Sequence, residues 1–106
     1  MKNSIIEPGV LTANCYFRKP AANAGQRRKN EQKQIEVVCD FFKSLGFDVK
    51  TDGFSVCDAK IGNIEVHFSY SESCKNVYKT FSVYKDGKKS NILTIRKLIK
   101  SLNNEN

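Results

Sequence analysis

Apolar and polar side chains alternate through the second half of the chain, and this alternation constrains the fold more than any other feature of the sequence. Within residues 64–70 and again within residues 76–84, apolar side chains recur on one face and polar ones on the other. A period of two is typical of half-buried β-strands. Glycine followed by asparagine at 62–63 is a signal for a two-residue hairpin turn. The strands predicted in this region are 47–49, 54–61, 64–70 and 76–84.

Two stripes of helical period flank these strands. The apolar residues of the first stripe are Ile35, Val38, Cys39, Phe42 and Leu45. Asn23 and Asn30 are its two candidate N-caps, and Gly46 stands where a left-handed residue would end the helix. The apolar residues of the second stripe are Ile92, Ile95, Ile99 and Leu102. A further alternating pattern at residues 11–17 predicts a strand before the first helix.

The predicted chain order is therefore β-α-β-β-β-β-α. Two amphipathic helices need a sheet face to cover, and an antiparallel meander with short turns supplies one. We predict an α+β two-layer sandwich, in which two α-helices cover one face of an antiparallel β-sheet of four to five strands. A chain of 106 residues has room for one small domain, residues 1–106. Within it, residues 1–10 and 103–106 are expected to be flexible, and residues 19–30 to be a basic linker or a helix start.

Composition excludes several classes of protein and site. No apolar run is long enough to span a bilayer or to form the core of a signal peptide. The four cysteines are Cys15, Cys39, Cys57 and Cys74, and none lies in the close pairs that structural zinc sites use. We expect reduced thiols, no metal site, no cofactor, no membrane contact and a cytoplasmic location. Because the number of cysteines is even, disulfides are the alternative.

The charge of the chain is strongly positive, at +7, and it is unevenly distributed. Residues 1–30 carry six cations and one anion, residues 31–75 carry five cations and eight anions, and residues 76–106 carry seven cations and two anions. If the two basic ends lie together in the fold, they form one cationic surface suited to a phosphate backbone. The alternative is a lysine-rich surface that only keeps the protein soluble.

This charge distribution predicts a small, basic, non-catalytic domain that binds nucleic acid. The residues expected to contact phosphates are Arg27, Arg28, Lys29, Lys88, Lys89, Arg96, Lys97 and Lys100. The alternative is a protein-interaction module, which could be an inhibitor, an adaptor or an oligomer-forming protein. It is suggested by Tyr16, Tyr78 and Tyr84, which the alternation places on the outer face of the sheet. A homodimer is also expected, because the strand at 11–17 is tethered by a segment that buries little. The alternative is a monomer in which this strand folds back onto its own sheet.

Four residues resemble a nuclease pattern. Glu31 lies in the first helix, Asp58 near the end of one strand, and Glu65 and His67 in the next strand, which is similar to the outline of the restriction-endonuclease-like superfamily. In that superfamily two carboxylates hold magnesium and a lysine positions the attacking water. His67 takes the place of the lysine, so the resemblance implies a degenerate nuclease. Whether the four residues converge on a metal site depends on the tertiary structure.

Overall fold

Two α-helices and five β-strands make up the part of the chain that the computed structural model describes, which is residues 6–11 and 20–104. In chain order they are α1 (Ala24–Ser44), β1 (Asp48–Thr51), β2 (Val56–Ile61), β3 (Ile64–Glu72), β4 (Val77–Lys85), β5 (Lys88–Lys89) and α2 (Ile92–Asn104). A short 3₁₀ helix, Gly9–Leu11, precedes them, and the remainder of the first predicted strand, residues 12–17, lies outside the described residues. Neither α1 nor α2 is long and apolar enough to cross a membrane.

The five strands form one antiparallel sheet in chain order, β1-β2-β3-β4-β5. The register places Phe68 of β3 directly opposite Cys57 of β2 and Phe81 of β4. Because side chains alternate across a strand, these residues point to one face, which we call the inner face. Phe42 of α1 and Ile95 of α2 are buried in the same apolar cluster as this inner face. The predicted α+β fold, with an antiparallel sheet and both helices on one side of it, is confirmed.

Helix α1 begins more than two turns before its apolar stripe. Of the two predicted N-caps, Asn23 is the one used, since its Oδ1 accepts a hydrogen bond from the backbone N–H of Gln26 at 2.8 Å. Asn30 lies inside the helix, where its Oδ1 accepts from the Gln26 side chain at 3.0 Å. Residues 24–30 are therefore helical. At the other end Gly46 has a φ of +92°, the left-handed conformation that was predicted to end the helix.

Phe42 lies at the centre of the core. Its side chain is 1% exposed, and its ring centroid is 5.0 Å from those of Phe41 and Phe47 and 6.4 Å from that of Phe81. Rings at these separations add favourable aromatic contacts to the burial of apolar area. Helix α2 packs beside them over β4, with Ile95 fully buried. None of the described helices covers the opposite, outer face of the sheet.

Two tight turns close the same end of the sheet. Gly62, with a φ of +54°, begins the predicted two-residue turn between β2 and β3. Asp86 and Gly87 both have positive φ, at 56° and 76°, and join β4 to β5. The turns contact each other, because the Asn63 side chain donates to Asp86 Oδ1 at 2.7 Å. Strand β5 was not predicted, and it forms a hairpin with β4 at the end of the sheet where Ile64 begins β3.

Candidate functional surfaces

The β4–β5 hairpin gathers lysines at one end of the sheet. Its register sets Lys85 directly opposite Lys88, and Tyr84 directly opposite Lys89. Because neighbouring positions of a strand face opposite ways, Lys85 and Lys88 lie on the helix side and Lys89 lies on the outer face. Like charges directly opposite each other destabilise a sheet, so the Lys85–Lys88 pair lowers the stability of the hairpin.

Helix α2 begins beside this hairpin. The Asn91 side chain caps the helix, since its Oδ1 accepts a hydrogen bond from the backbone N–H of Leu93 at 2.9 Å. Lys97 of α2 and Lys85 of β4 line the same depression, which has a volume of about 490 Å³. The unpaired N–H groups at the start of a helix carry a partial positive charge. The helix start therefore adds to the positive potential of the lysines around it.

Five lysines of the β4–β5 hairpin and α2 are exposed, and we call them together the basic end: Lys85, Lys88, Lys89, Lys97 and Lys100. Within the described part of the chain none of them forms an ion pair. The nearby carboxylate of Asp86 accepts a hydrogen bond from the Asn63 side chain instead. Arg96 differs from these lysines, because its Nε lies 3.2 Å from Glu7 Oε2. Its charge is therefore partly compensated.

The remaining predicted cations, Arg27, Arg28 and Lys29, lie at the opposite end of the sheet, in the first turns of α1. The next residue, Asn30, donates to Glu72 Oε1 at 3.4 Å, so this part of α1 lies at the end of β3. The basic end adjoins Ile64, at the start of the same strand. The nine residues of β3 separate the two ends by about 27 Å at ~3.4 Å per residue. The expectation that both groups form one cationic surface is therefore wrong.

The outer face of the sheet carries an imidazole that is oriented by a carboxylate. Asp58 of β2 and His67 of β3 are directly opposite in the register. Asp58 Oδ1 lies 2.8 Å from His67 Nδ1, and the two side chains are 51% and 48% exposed. Because Nδ1 contacts the carboxylate, Nε2 is the ring nitrogen that can exchange a proton with a ligand.

Glu65 and two lysines surround the Asp58–His67 pair. Glu65 precedes His67 by two residues in β3, so both side chains project from the same face. Lys60 Nζ lies 3.6 Å from Glu65 Oε1, and Lys50 of β1 is directly opposite Asp58. These side chains line a shallow depression with a volume of about 170 Å³. The arrangement is an acid–base site flanked by cations and open to solvent.

Tyr84 connects this site to the basic end. It lies directly opposite Glu65 on one side and Lys89 on the other. Its ring centroid is 5.5 Å from that of His67, with the two rings edge to face. A continuous row across the outer face therefore leads from Lys89 to Glu65. Tyr78 is also on this face and is 52% exposed, but it lies further along β4.

The four residues of the nuclease-like pattern do not share one site. Asp58, Glu65 and His67 lie together on the outer face. Glu31 belongs to α1 on the inner side, where its Oε2 accepts a hydrogen bond from the backbone N–H of Glu72 at 2.8 Å. Among residues 6–11 and 20–104, no group of three or more histidine, cysteine, aspartate or glutamate side chains is arranged to hold a metal ion.

A buried polar cluster at the Glu72 end of the sheet was not predicted. Glu72 and Lys79 are only 7% and 3% exposed. Glu72 Oε2 accepts from the Tyr70 hydroxyl at 2.8 Å, and Oε1 accepts from the backbone N–H of Ala21 at 3.2 Å. The period of two could have located this cluster, because positions 72 and 79 fall on the apolar faces of their strands. The cluster joins the segment before α1 to the sheet.

The three cysteines in the described part of the chain are free; they are Cys39, Cys57 and Cys74. Cys39 of α1 and Cys57 of β2 are buried. Burial raises the pKa of the Cys57 thiol, and a hydrogen bond with Cys39 raises it further. These two thiols therefore act as small apolar groups of the core, whereas Cys74 is exposed.

Comparisons with known proteins do not identify either surface. No protein-family model matches the chain. No curated protein matches it, and neither does a solved structure. The basic end and the acid–base site of the outer face are therefore the two candidate functional surfaces in the described part of the chain.

Proposed function

We propose that this protein binds nucleic acid through the basic end. The observation that carries the proposal is the direct pairing of Lys85 with Lys88 across the β4–β5 hairpin. Repulsion between the two ammonium groups lowers the stability of the free protein. Lys97 adds a third positive charge, because it lines the same depression as Lys85. An anion bound from outside offsets the repulsion between these ammonium groups.

A phosphate backbone suits this surface because its charges repeat along the chain. The lysines of the basic end continue from the hairpin onto α2 through Lys97 and Lys100. Cations that bind successive phosphates release condensed counterions, so the affinity falls steeply with salt. Contacts of this kind position a protein on nucleic acid without reading its sequence. We therefore propose binding that depends little on sequence, and we propose separately that the protein is cytoplasmic.

The test compares two triple variants that remove the same charge from opposite ends of the sheet. The first is Lys85→Gln/Lys88→Gln/Lys97→Gln in the basic end. The matched control is Arg27→Gln/Arg28→Gln/Lys29→Gln at the start of α1. Fluorescence anisotropy measures the affinity for a labelled 20-mer, as a duplex and as a single strand, at several salt concentrations.

We expect the basic-end variant to bind at least tenfold more weakly. The slope of log affinity against log salt concentration should be less negative by about 3, since each lost duplex phosphate contact contributes ~0.9 to this slope. The control variant should change the affinity less than threefold. Equal losses in the two variants would show that only net charge matters, and would contradict the proposal. Circular dichroism confirms that both variants are folded.

A protein-interaction module is the second candidate function. Phe54 and Tyr78 are exposed large side chains, at 56% and 52%. Aromatic side chains are enriched where proteins bind one another. Binding of a protein partner through these residues would show a shallow dependence on salt, which the same titration distinguishes from phosphate contacts.

A further inference from the structure

The acid–base site on the outer face has chemistry that phosphate binding does not use. His67 is held at Nδ1 by Asp58 at 2.8 Å. Glu65 projects from the same face two residues earlier, and Lys60 lies 3.6 Å from it. Two acid–base groups beside lysines are suited to a reaction in which one proton is removed and another is donated at an anionic centre.

We propose that this site cleaves RNA, with Glu65 as the general base and His67 as the general acid. The inference rests on the proposed function, because the basic end supplies the binding of the nucleic acid. RNA is the substrate class because its 2′-hydroxyl is a nucleophile adjacent to each phosphodiester. DNA lacks this hydroxyl and is not a substrate for the same reaction.

The reaction is a transesterification in which atoms and charges balance. The Glu65 carboxylate takes the proton of the 2′-hydroxyl, and the 2′-oxygen forms a bond to phosphorus. The bond between phosphorus and the 5′-oxygen breaks, and Nε2 of the protonated His67 donates its proton to that oxygen. The products are a 2′,3′-cyclic phosphate and a 5′-hydroxyl end. Proton exchange with water restores the carboxylate and the imidazolium.

The sheet sets the spacing that this reaction needs. Alternate residues of a strand lie about 6.7 Å apart, so Glu65 and His67 can approach the 2′- and 5′-oxygens of one phosphodiester from opposite sides. Asp58 is a positioning residue, because its contact at Nδ1 directs Nε2 outward. Lys50 and Lys60 line the same depression and face the charge that develops on the phosphoryl oxygens.

The outer face also provides a path from the basic end to this site. Lys89 lies opposite Tyr84, and Tyr84 lies opposite Glu65. The Tyr84 ring is 5.5 Å from the imidazole of His67. Aromatic rings on a sheet can stack unpaired bases. A single RNA strand bound at Lys89 therefore reaches the acid–base site with a base beside Tyr84.

The experiment uses the full chain and three oligonucleotides of one sequence: RNA, DNA and fully 2′-O-methylated RNA. Each carries a 5′ fluorophore, and products are separated on a denaturing gel. The wild-type protein should cleave only the unmodified RNA and leave 2′,3′-cyclic phosphate ends, which mass spectrometry identifies. Anisotropy with the methylated RNA measures binding to an analogue that cannot be cleaved.

Four variants assign the roles. His67→Gln and Glu65→Gln should each lower the cleavage rate at least 100-fold, since a general acid or base contributes ~10²–10⁴-fold. Asp58→Asn should lower the turnover rate while the affinity for the methylated RNA stays within twofold. Glu36→Gln, the matched control, changes an exposed glutamate of α1 and should leave the rate unchanged. Circular dichroism checks that each variant is folded.

The outcomes separate this inference from the proposed function. Wild-type protein that binds the methylated RNA but does not cleave RNA would overturn the inference and leave binding intact. Cleavage that persists unchanged in His67→Gln would also overturn it, because the activity would then come from a contaminating nuclease. Cleavage that needs Glu65 and His67 but is insensitive to the basic-end triple variant would support the inference and overturn binding through the basic end.

Discussion

Asp52 organises the turn between β1 and β2 through its side chain. Its Oδ1 accepts hydrogen bonds from the backbone N–H groups of Phe54 and Ser55 at 2.9 Å each, and from that of Val56 at 3.1 Å. These bonds lower the pKa of Asp52 from 3.8 to about 2, and the bond from Phe54 has the largest effect on it. A single carboxylate therefore satisfies three backbone donors in an exposed loop.

The lowered pKa of Asp52 predicts that the stability of the turn between β1 and β2 depends on pH. Because the pKa in the folded protein lies below the unfolded value, the bonds stabilise the turn fully above about pH 3.8 and are lost as the pH falls to about 2. NMR titration of the Phe54 amide should show a midpoint near 2, and Asp52→Asn should abolish this titration. A midpoint near 4 would contradict the role assigned to these bonds.

At the level of secondary structure, the cluster around Glu72 fixes where α1 begins on the sheet. Glu72 accepts hydrogen bonds from Tyr70 of β3, from Ala21 before the helix and from Asn30 within it. Its backbone N–H donates to Glu31 of α1. A buried carboxylate with several donors is costly to disturb, because each buried donor that loses its partner destabilises the fold.

We expect Glu72→Ala to lower the free energy of unfolding by about 3 kcal/mol, since a buried donor left without a partner costs ~1–3 kcal/mol. Tyr70→Phe removes one donor and leaves the carboxylate with its other partners, so it should cost only about 1 kcal/mol. Urea denaturation measures both values. Equal midpoints for Glu72→Ala and the wild type would show that the cluster does not stabilise the junction.

For the whole molecule, the separation of charge is the main consequence of the fold. The basic end adjoins the start of β3, whereas Arg27 and its neighbours lie by the end of that strand. Helix α1, whose first turns carry Arg27 and contact Glu72, packs against β1, β2 and β3. The cations of the two described basic segments therefore belong to two separate surfaces, and the basic end is the one that connects to the outer-face site through Tyr84.

Self-association stays a prediction. Strand β1 is an edge strand of only four residues. Its backbone pairs with β2 on one edge, and no described strand pairs with its other edge. Small domains bury little surface, and an open sheet edge can pair with a second copy. We expect a two-fold dimer at micromolar concentration, measured by light scattering across a dilution series. A mass of one chain throughout that series would contradict this expectation.

Short-range patterns predicted most of the fold and part of the candidate site. The turn at Gly62 and Asn63 pairs Ile61 with Ile64. Counting three residues away from the turn along each strand then sets Asp58 opposite His67. The sequence thus contained the acid–base pair, although the resemblance to a nuclease pattern groups Asp58 and His67 with Glu31, which the fold places elsewhere. Strand β5 was not predicted, because its two successive lysines show no alternation of apolar and polar side chains.

The inner and outer faces of β3 and β4 follow from the sequence alone, because a period of two dictates which side chains share a face. The end of α1 follows as well, since glycine favours the left-handed backbone at Gly46. The direction in which α1 lies on the sheet has no such local cause. It depends on burial of Phe42 against Phe81 and on the contact of Asn30 with Glu72. Those long-range contacts place the two basic segments at opposite ends, because packing of the whole core decides which distant residues become neighbours.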